Sequence, residues 1–106
     1  MSQPAKHDVF QAIADPTRRE VLKLLSKKEL PISEITANFP MSRTAIAKHL
    51  AILSEANLVS SQKVGREKRY RLQPDSLSEL HQWLAYFDQF WSNKLSILKY
   101  VVEEKD

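Results

Sequence analysis

Met41 to Leu72 reads MSRTAIAKHLAILSEANLVSSQKVGREKRYRL, and the fold turns on how this stretch divides. Ser42 is a residue type that caps helices by accepting from orphan backbone N–H groups, so a helix is expected from Arg43 to about Ala56. Ala45, Ile46, Leu50, Leu53 and Ala56 then trace one apolar stripe at helical spacing. Asn57 follows where a helix end needs the left-handed conformation, which asparagine tolerates better than most residues. The pattern then becomes β-like. Leu58 to Val64 and Lys68 to Leu72 are joined through Gly65-Arg66-Glu67, which holds the only glycine of the chain. A hairpin is expected there, with its turn type left open.

Upstream, Val9, Phe10 and Ile13 share one side of a short helix ending near Ala14. Asp15-Pro16 is a start signal, an N-cap followed by a proline whose missing N–H costs nothing at the first helical position. The helix it opens runs to about Ser26, with Val21, Leu22, Leu24 and Leu25 inward and Arg18, Arg19, Lys23 and Lys27 largely outward. Lys28-Glu29 is a polar break, and Pro31 stops helical continuation. Ser33 caps a third short helix, Glu34 to Asn38, with Ile35 and Phe39 as its buried contacts, and Pro40 ends it. Two short helices a few residues apart, the second capped by serine, make a helix-turn-helix.

Downstream, Pro74 closes the ribbon, and Ser76-Leu77-Ser78-Glu79 matches a capping box. The helix it opens meets no proline or glycine before the chain end. Leu77, Leu84, Trp91 and Leu98 recur every seven residues. Leu80, Phe87 and Val101 form a second row, broken by Lys94, and Trp83, Phe90 and Ile97 a third. Three rows are too wide for a slim coiled-coil seam, so the helix is expected to pack partly on its own domain and partly on a second copy. The expected fold is mainly α: a winged helix-turn-helix of about five helices plus a two-stranded β-hairpin wing. It forms one domain over residues 1–106, with a dimerisation helix over about 76–104.

Composition removes several function classes. At 106 residues there is room for one modest core. Without cysteine there is no disulfide, thiolate metal site or thiol nucleophile. One glycine cannot build a dinucleotide or P-loop fingerprint, and no nucleophile–base pair or spaced carboxylate pair stands out, so no enzyme is expected. No leader-like or bilayer-length apolar run is present, and a cytoplasmic location is the expectation. The net charge of +3 is uneven. Residues 1–72 hold 13 Lys/Arg against 7 Asp/Glu, a net of +6, and residues 73–106 hold 3 against 6, a net of −3. A basic front and an acidic back fit a protein with one face on a polyanion, although a solvated surface can carry the same asymmetry.

The exposed side of the capped helix offers Ser42, Arg43, Thr44 and Lys48, with Ala47 and His49 beside them. A helix in the major groove reads base edges with its first turns. Arg43 suits guanine through paired hydrogen bonds, Ser42 and Thr44 suit phosphate or base edges, and Lys48 suits a phosphate. The helix alone reads more readily as an ordinary amphipathic segment with a polar outside. The ribbon tips the balance, because Lys63, Arg66, Lys68, Arg69 and Arg71 face a single acidic residue, Glu67, within ten residues. Strand alternation packs Tyr70 and Leu72 on the body and points Arg69 and Arg71 outward. Such a wing can follow phosphates or probe a minor groove; protection of a β-edge by charge is the competing role.

These residues resemble the ArsR/SmtB family of bacterial winged-helix repressors. The resemblance rests on Ala14-Asp15-Pro16-Thr17-Arg18-Arg19, on Ser42 to Val59 and on Val64-Gly65-Arg66 to Leu72, three regions in the right order. It implies a homodimer on a double-stranded promoter dyad, acting as a repressor released by a signal. DNA contacts are then expected from Ser42, Arg43, Thr44, Lys48 and His49 in the recognition helix and from Lys63, Arg66, Lys68, Arg69 and Arg71 in the wing. The family often has serine where Ala47 stands and usually glycine where Asn57 stands. Its thiolate metal motif would fall on Leu30-Pro31-Ile32-Ser33, which carries no thiol. Its other metal site needs several ligands near Asp75 and His81, and no second histidine follows. The chain resembles a metal-free branch with an aromatic C-terminal helix, and neither metal nor cofactor is expected. The dimer interface is expected from Phe10, Leu84, Phe87, Trp91, Leu95 and Leu98, in preference to an apolar ligand pocket. The inducer or protein effector is not written in these residues. The alternative is a winged-helix protein-interaction module without DNA binding.

Overall fold

Short-range capping chemistry sets most helix starts. The computed structural model describes residues 7–90 and Val102. Helix α1 (Val9–Ala12) opens on a reciprocal capping box that the sequence reading did not single out. The Asp8 carboxylate accepts from the Gln11 N–H at 2.8 Å, and the Gln11 side chain accepts from the Asp8 N–H at 2.9 Å. Helix α2 (Pro16–Leu25) starts as expected, with Asp15 Oδ2 accepting from the Arg18 N–H at 3.1 Å and Pro16 at the first position. Burial works to raise the Asp15 pKa. The Arg18 backbone N–H and the nearby His49 and Arg18 charges outweigh it, and the carboxyl sits below its ordinary value. A depressed acid stabilises the fold above its unfolded pKa and stops doing so as pH falls through its folded one. Asp15→Ala should therefore cost about 1 kcal/mol at neutral pH. The gap between variant and parent should close below about pH 4, read from urea melts across pH.

The third helix begins earlier than expected and without its serine. Helix α3 (Ile32–Ala37) has Pro31 at its N-cap and no side-chain cap, so Ser33 lies inside it, exposed, and does not start it. The reason is that Leu30–Pro31 forms a short strand, β1. Residues 28–31 therefore lead into a sheet. Strands β2 (Val59–Val64) and β3 (Glu67–Leu72) form the expected hairpin, and β1 pairs antiparallel with β3, so the order is β1-β3-β2. Leu30 lies opposite Tyr70 and Pro31 opposite Arg69. A proline is tolerated there because β1 is an edge. At the hairpin tip Gly65 has φ 64 and Arg66 has no positive φ, the pattern of a type II′ turn.

Helix α4 (Arg43–Glu55) follows its expected bounds closely. The Ser42 hydroxyl accepts from the Ala45 N–H at 3.1 Å. At the other end Asn57 has φ 60, its N–H donates to Ser54 O at 3.0 Å, and the Leu58 N–H donates to Leu53 O at 2.9 Å. This is a Schellman ending, and Leu53 and Leu58, both fully buried, supply its apolar contact. Ile46, Leu50 and Leu53 reach the core from α4, where they join Val21 and Leu25 of α2, Ile35 of α3 and Tyr70 of β3. Helix α4 thus packs on α1, α2, α3 and β2 together.

The C-terminal part departs from one unbroken helix. A 3₁₀ turn covers Pro74–Leu77, and α5 (Ser78–Tyr86) starts after it at Leu77 without a side-chain cap, so the expected capping box does not form. Pro74 takes the first position of that turn, where its fixed φ and missing N–H are tolerated. Helix α5 ends at Phe87, and helical backbone resumes at 88–90. Trp83 packs edge-on against Phe10 at 5.6 Å and Phe87 at 5.1 Å between ring centroids. Trp83, Leu84, Tyr86 and Phe90 remain more than half exposed. Of the expected interface, Trp91, Leu95 and Leu98 lie outside the described residues. No described helix is long and apolar enough to cross a membrane.

Candidate nucleic-acid interface

The first turns of α4 present a polar face because the opposite side is consumed by the core. Burying Ile46, Leu50 and Leu53 turns Thr44, Ala47 and Lys48 to solvent, and Arg43, although it lies three before Ile46, is exposed at the first position of the helix. Ser42 is exposed beside them, with its oxygen already accepting as the cap and its O–H left as a donor. Burial raises the Tyr70 pKa, and the Arg43 charge partly opposes the rise. Helix α4 also packs against β2 of the sheet.

His49 stands apart from that set. Its ring is half-buried against α2, with Nδ1 3.3 Å from Arg18 Nη1 and 4.0 Å from Asp15 Oδ2. Arg18 itself, expected on the outside of α2, is folded inward. Its Nε donates to Ala12 O at 2.7 Å and its Nη2 to Gln11 O at 3.2 Å. Helical spacing places a residue on a face but does not say which neighbours lie beyond that face, so neither orientation is readable from α2 or α4 alone.

The wing divides its cations between two faces. The register sets Lys63 opposite Lys68, on the face that carries Ser61 with Tyr70 and Val59 with Leu72. Gln62 with Arg69 and Ser60 with Arg71 lie on the other face, and Arg66 is at the turn. Like charges directly across a ladder repel, so the exposed Lys63–Lys68 pair weakens the free ribbon and a bound anion would relieve it. On the outer face Arg69 is half-buried and paired with Glu29, Nε to Oε1 3.2 Å. Arg71 Nε donates to Ser60 Oγ at 3.3 Å, and Gln73 reaches the same hydroxyl. These groups line a shallow polar groove of about 300 Å³. Glu29 entered the sequence reading only as part of a break. Its partner is forty residues away and is brought to it by the β1–β3 pairing.

Among the described residues no group of three His, Cys, Asp or Glu side chains is placed to hold a metal ion. The arrangement is that of a cationic surface with hydrogen-bond donors at one helix start.

Comparison with known proteins gives concordant results. The family model described as "Bacterial regulatory protein, arsR family" matches residues 15–61, which run from the N-cap of α2 through the whole of α4 into β2. The transcriptional repressor SdpR of Bacillus subtilis is 34% identical over 89 residues, covering 84% of this chain and 99% of the relative. Among solved structures, an ArsR-like transcriptional regulator from Rhodococcus superposes with TM-score 0.70 at 38% identity, covering 91% of this chain and 88% of that one. A homodimeric winged helix-turn-helix DNA-binding domain from Mycobacterium bovis superposes with TM-score 0.63 at 27% identity, covering 76% and 78%.

Proposed function

Because this chain belongs to the ArsR family of bacterial regulatory proteins, we propose that it works as a homodimeric repressor that occludes a promoter dyad until a signal releases it. Membership makes it a sequence-specific DNA-binding transcriptional regulator and not an enzyme. In the proposed complex Arg43, Thr44 and Lys48, with the Ser42 hydroxyl, enter the major groove, while Lys63, Arg66 and Lys68 follow phosphates alongside. Arg71 reaches backbone from the outer face of the wing, and Arg69 does so only by exchanging Glu29 for a phosphate.

The observation that carries this reading is the joint exposure of Arg43, Thr44 and Lys48 together with a ribbon whose facing lysines repel each other. The homodimer is supported by the exposed Trp83, Leu84, Tyr86 and Phe90, a large apolar surface in one short segment. The homodimeric state of the Mycobacterium bovis domain supports it too. Leu84 and Phe87 stay in the proposed interface, as does Phe10 through its contact with Trp83. Trp91, Leu95 and Leu98 enter it on their heptad-like spacing alone. A chain of this kind acts where the bacterial chromosome is, in the cytoplasm. The 106 residues act as one unit, with the segment after Pro74 serving dimerisation.

The test is an electrophoretic titration on duplexes that the chain recovers from its own genome, repeated across salt. Arg66→Ala should weaken binding to selected and unselected duplexes alike and reduce the log–log salt slope by about one. An unchanged slope would remove the wing from the interface. Failure of the parent chain to recover any duplex would favour the protein-interaction module. A monomer by sedimentation at micromolar concentration would remove the two-half-site arrangement.

A further inference from the structure

Apolar burial is non-directional. Ile46, Leu50 and Leu53 decide which side of α4 faces the core, and the fine rotation within that packing is left to directional bonds. Among the described residues, two directional bonds reach α4 from α2 and from the chain before α1: the His7 N–H donates to Glu55 Oε1 at 2.9 Å at the far end of the helix, and Arg18 reaches its middle, nearer the exposed first turns. The guanidinium is a planar fork, so anchoring two of its nitrogens fixes where the third points. Nε and Nη2 are anchored on the carbonyls of Ala12 and Gln11 at the end of α1, and Nη1 is thereby aimed at His49 Nδ1, 3.3 Å away. For Nδ1 to accept, the ring proton must be on Nε2. Asp15 Oδ2 lies 4.0 Å from the same nitrogen, too far to hydrogen-bond, so Arg18 is its partner. Asp15 also caps the turn from which Arg18 projects.

We propose that Arg18 is a positioning residue for sequence recognition: through His49 it sets the rotation of α4, and hence where Arg43, Thr44 and Lys48 meet the base edges. This rests on the DNA-binding reading above. His49 then acts from the protein side of the helix, and its half-buried ring is suited to that part. Tolerances of about 0.5 Å and 10–20° separate a productive constellation from a loose one, so a small rotation is enough to blur base preference.

The experiment uses the full chain, one duplex selected by the parent from randomised DNA, and a scrambled duplex of equal length. Arg18→Ala should reduce the preference for the selected duplex by about tenfold, the worth of one hydrogen bond to a charged group. Affinity for the scrambled duplex and the salt slope should stay as they were. Backbone amide NMR signals of residues 43–48 should move, and Arg18→Lys, which keeps the charge without the fork, should not restore the preference. His49→Ala, which leaves the α1 anchors intact, should give the same pattern, and adding it to Arg18→Ala should lower the preference no further. This second variant decides the matter if Arg18→Ala does not fold. A slope reduced by about one would make Arg18 a phosphate contact, and an equal fall on both duplexes would make it merely structural; either overturns the proposal. An unchanged preference in both variants overturns it as well and leaves the DNA-binding reading standing. A parent chain with no preference to lose removes that reading and the inference together.

Discussion

Leu50→Ala is expected to lower the stability of the fold by about 2–5 kcal/mol, a large share of what a small domain possesses. Leu50 is fully buried in the middle of α4, the helix that packs on α1, α2, α3 and β2. Removing its isobutyl group leaves a cavity that helices held from several sides cannot close. Urea denaturation should show a lower midpoint with an unchanged m-value, the signature of lost stability in an otherwise similar fold. A loss below about 1 kcal/mol would mean that the core is not organised around α4, since burial of this kind does not yield so little. DNA affinity should fall only as far as the folded fraction falls.

Arg43→Ala should do the reverse on the same helix. The side chain is exposed at the first position of α4, and surface substitutions away from caps and buried networks stay within about 0.5 kcal/mol. Binding to the selected duplex should nevertheless weaken by roughly 1–3 kcal/mol, with base preference relaxed at the position it reads. Arg43→Lys should not recover that preference, because a single ammonium cannot make the paired contact that a guanidinium makes with guanine. Equal losses on selected and scrambled duplexes would instead place Arg43 on phosphate. In the proposed complex the family's frequent serine is replaced by Ala47, so more of the readout would fall to Arg43, Thr44 and Lys48, which sharpens the expected loss.

Local chemistry explains why some elements were legible in the chain alone. Asp15-Pro16, Ser42 and Asn57 each act within four residues of themselves, through a cap or a left-handed backbone, and all three occur where their residue types place them. The apolar stripe of α4 needed only helical periodicity. The hairpin itself was legible from β-compatible runs around the single glycine, but its register was not: Glu67 belongs to β3, opposite Val64, and leaves a two-residue turn. The elements that escaped depend on distant partners. Leu30-Pro31 has no strand character of its own and becomes β1 only because Tyr70 and Arg69 pass beside it. Ser33 was displaced as a cap by that strand, and Ser76 by the 3₁₀ turn after Gln73.

The candidate interface divides along the same line. That Thr44 and Lys48 share a solvent face follows from which residues of α4 are apolar, and Arg43 joins them because it stands at the first position after the Ser42 cap, so the sequence by itself determined this set. That the wing is cationic was equally plain from composition. Only the tertiary structure decided that Arg69 is held by Glu29, that Lys63 and Lys68 stand together, and that Arg18 turns inward to His49. The physical reason is range. Capping and amphipathicity are settled within a turn or two of chain, whereas an ion pair across forty residues or a hydrogen bond between helices exists only once packing has brought the partners together.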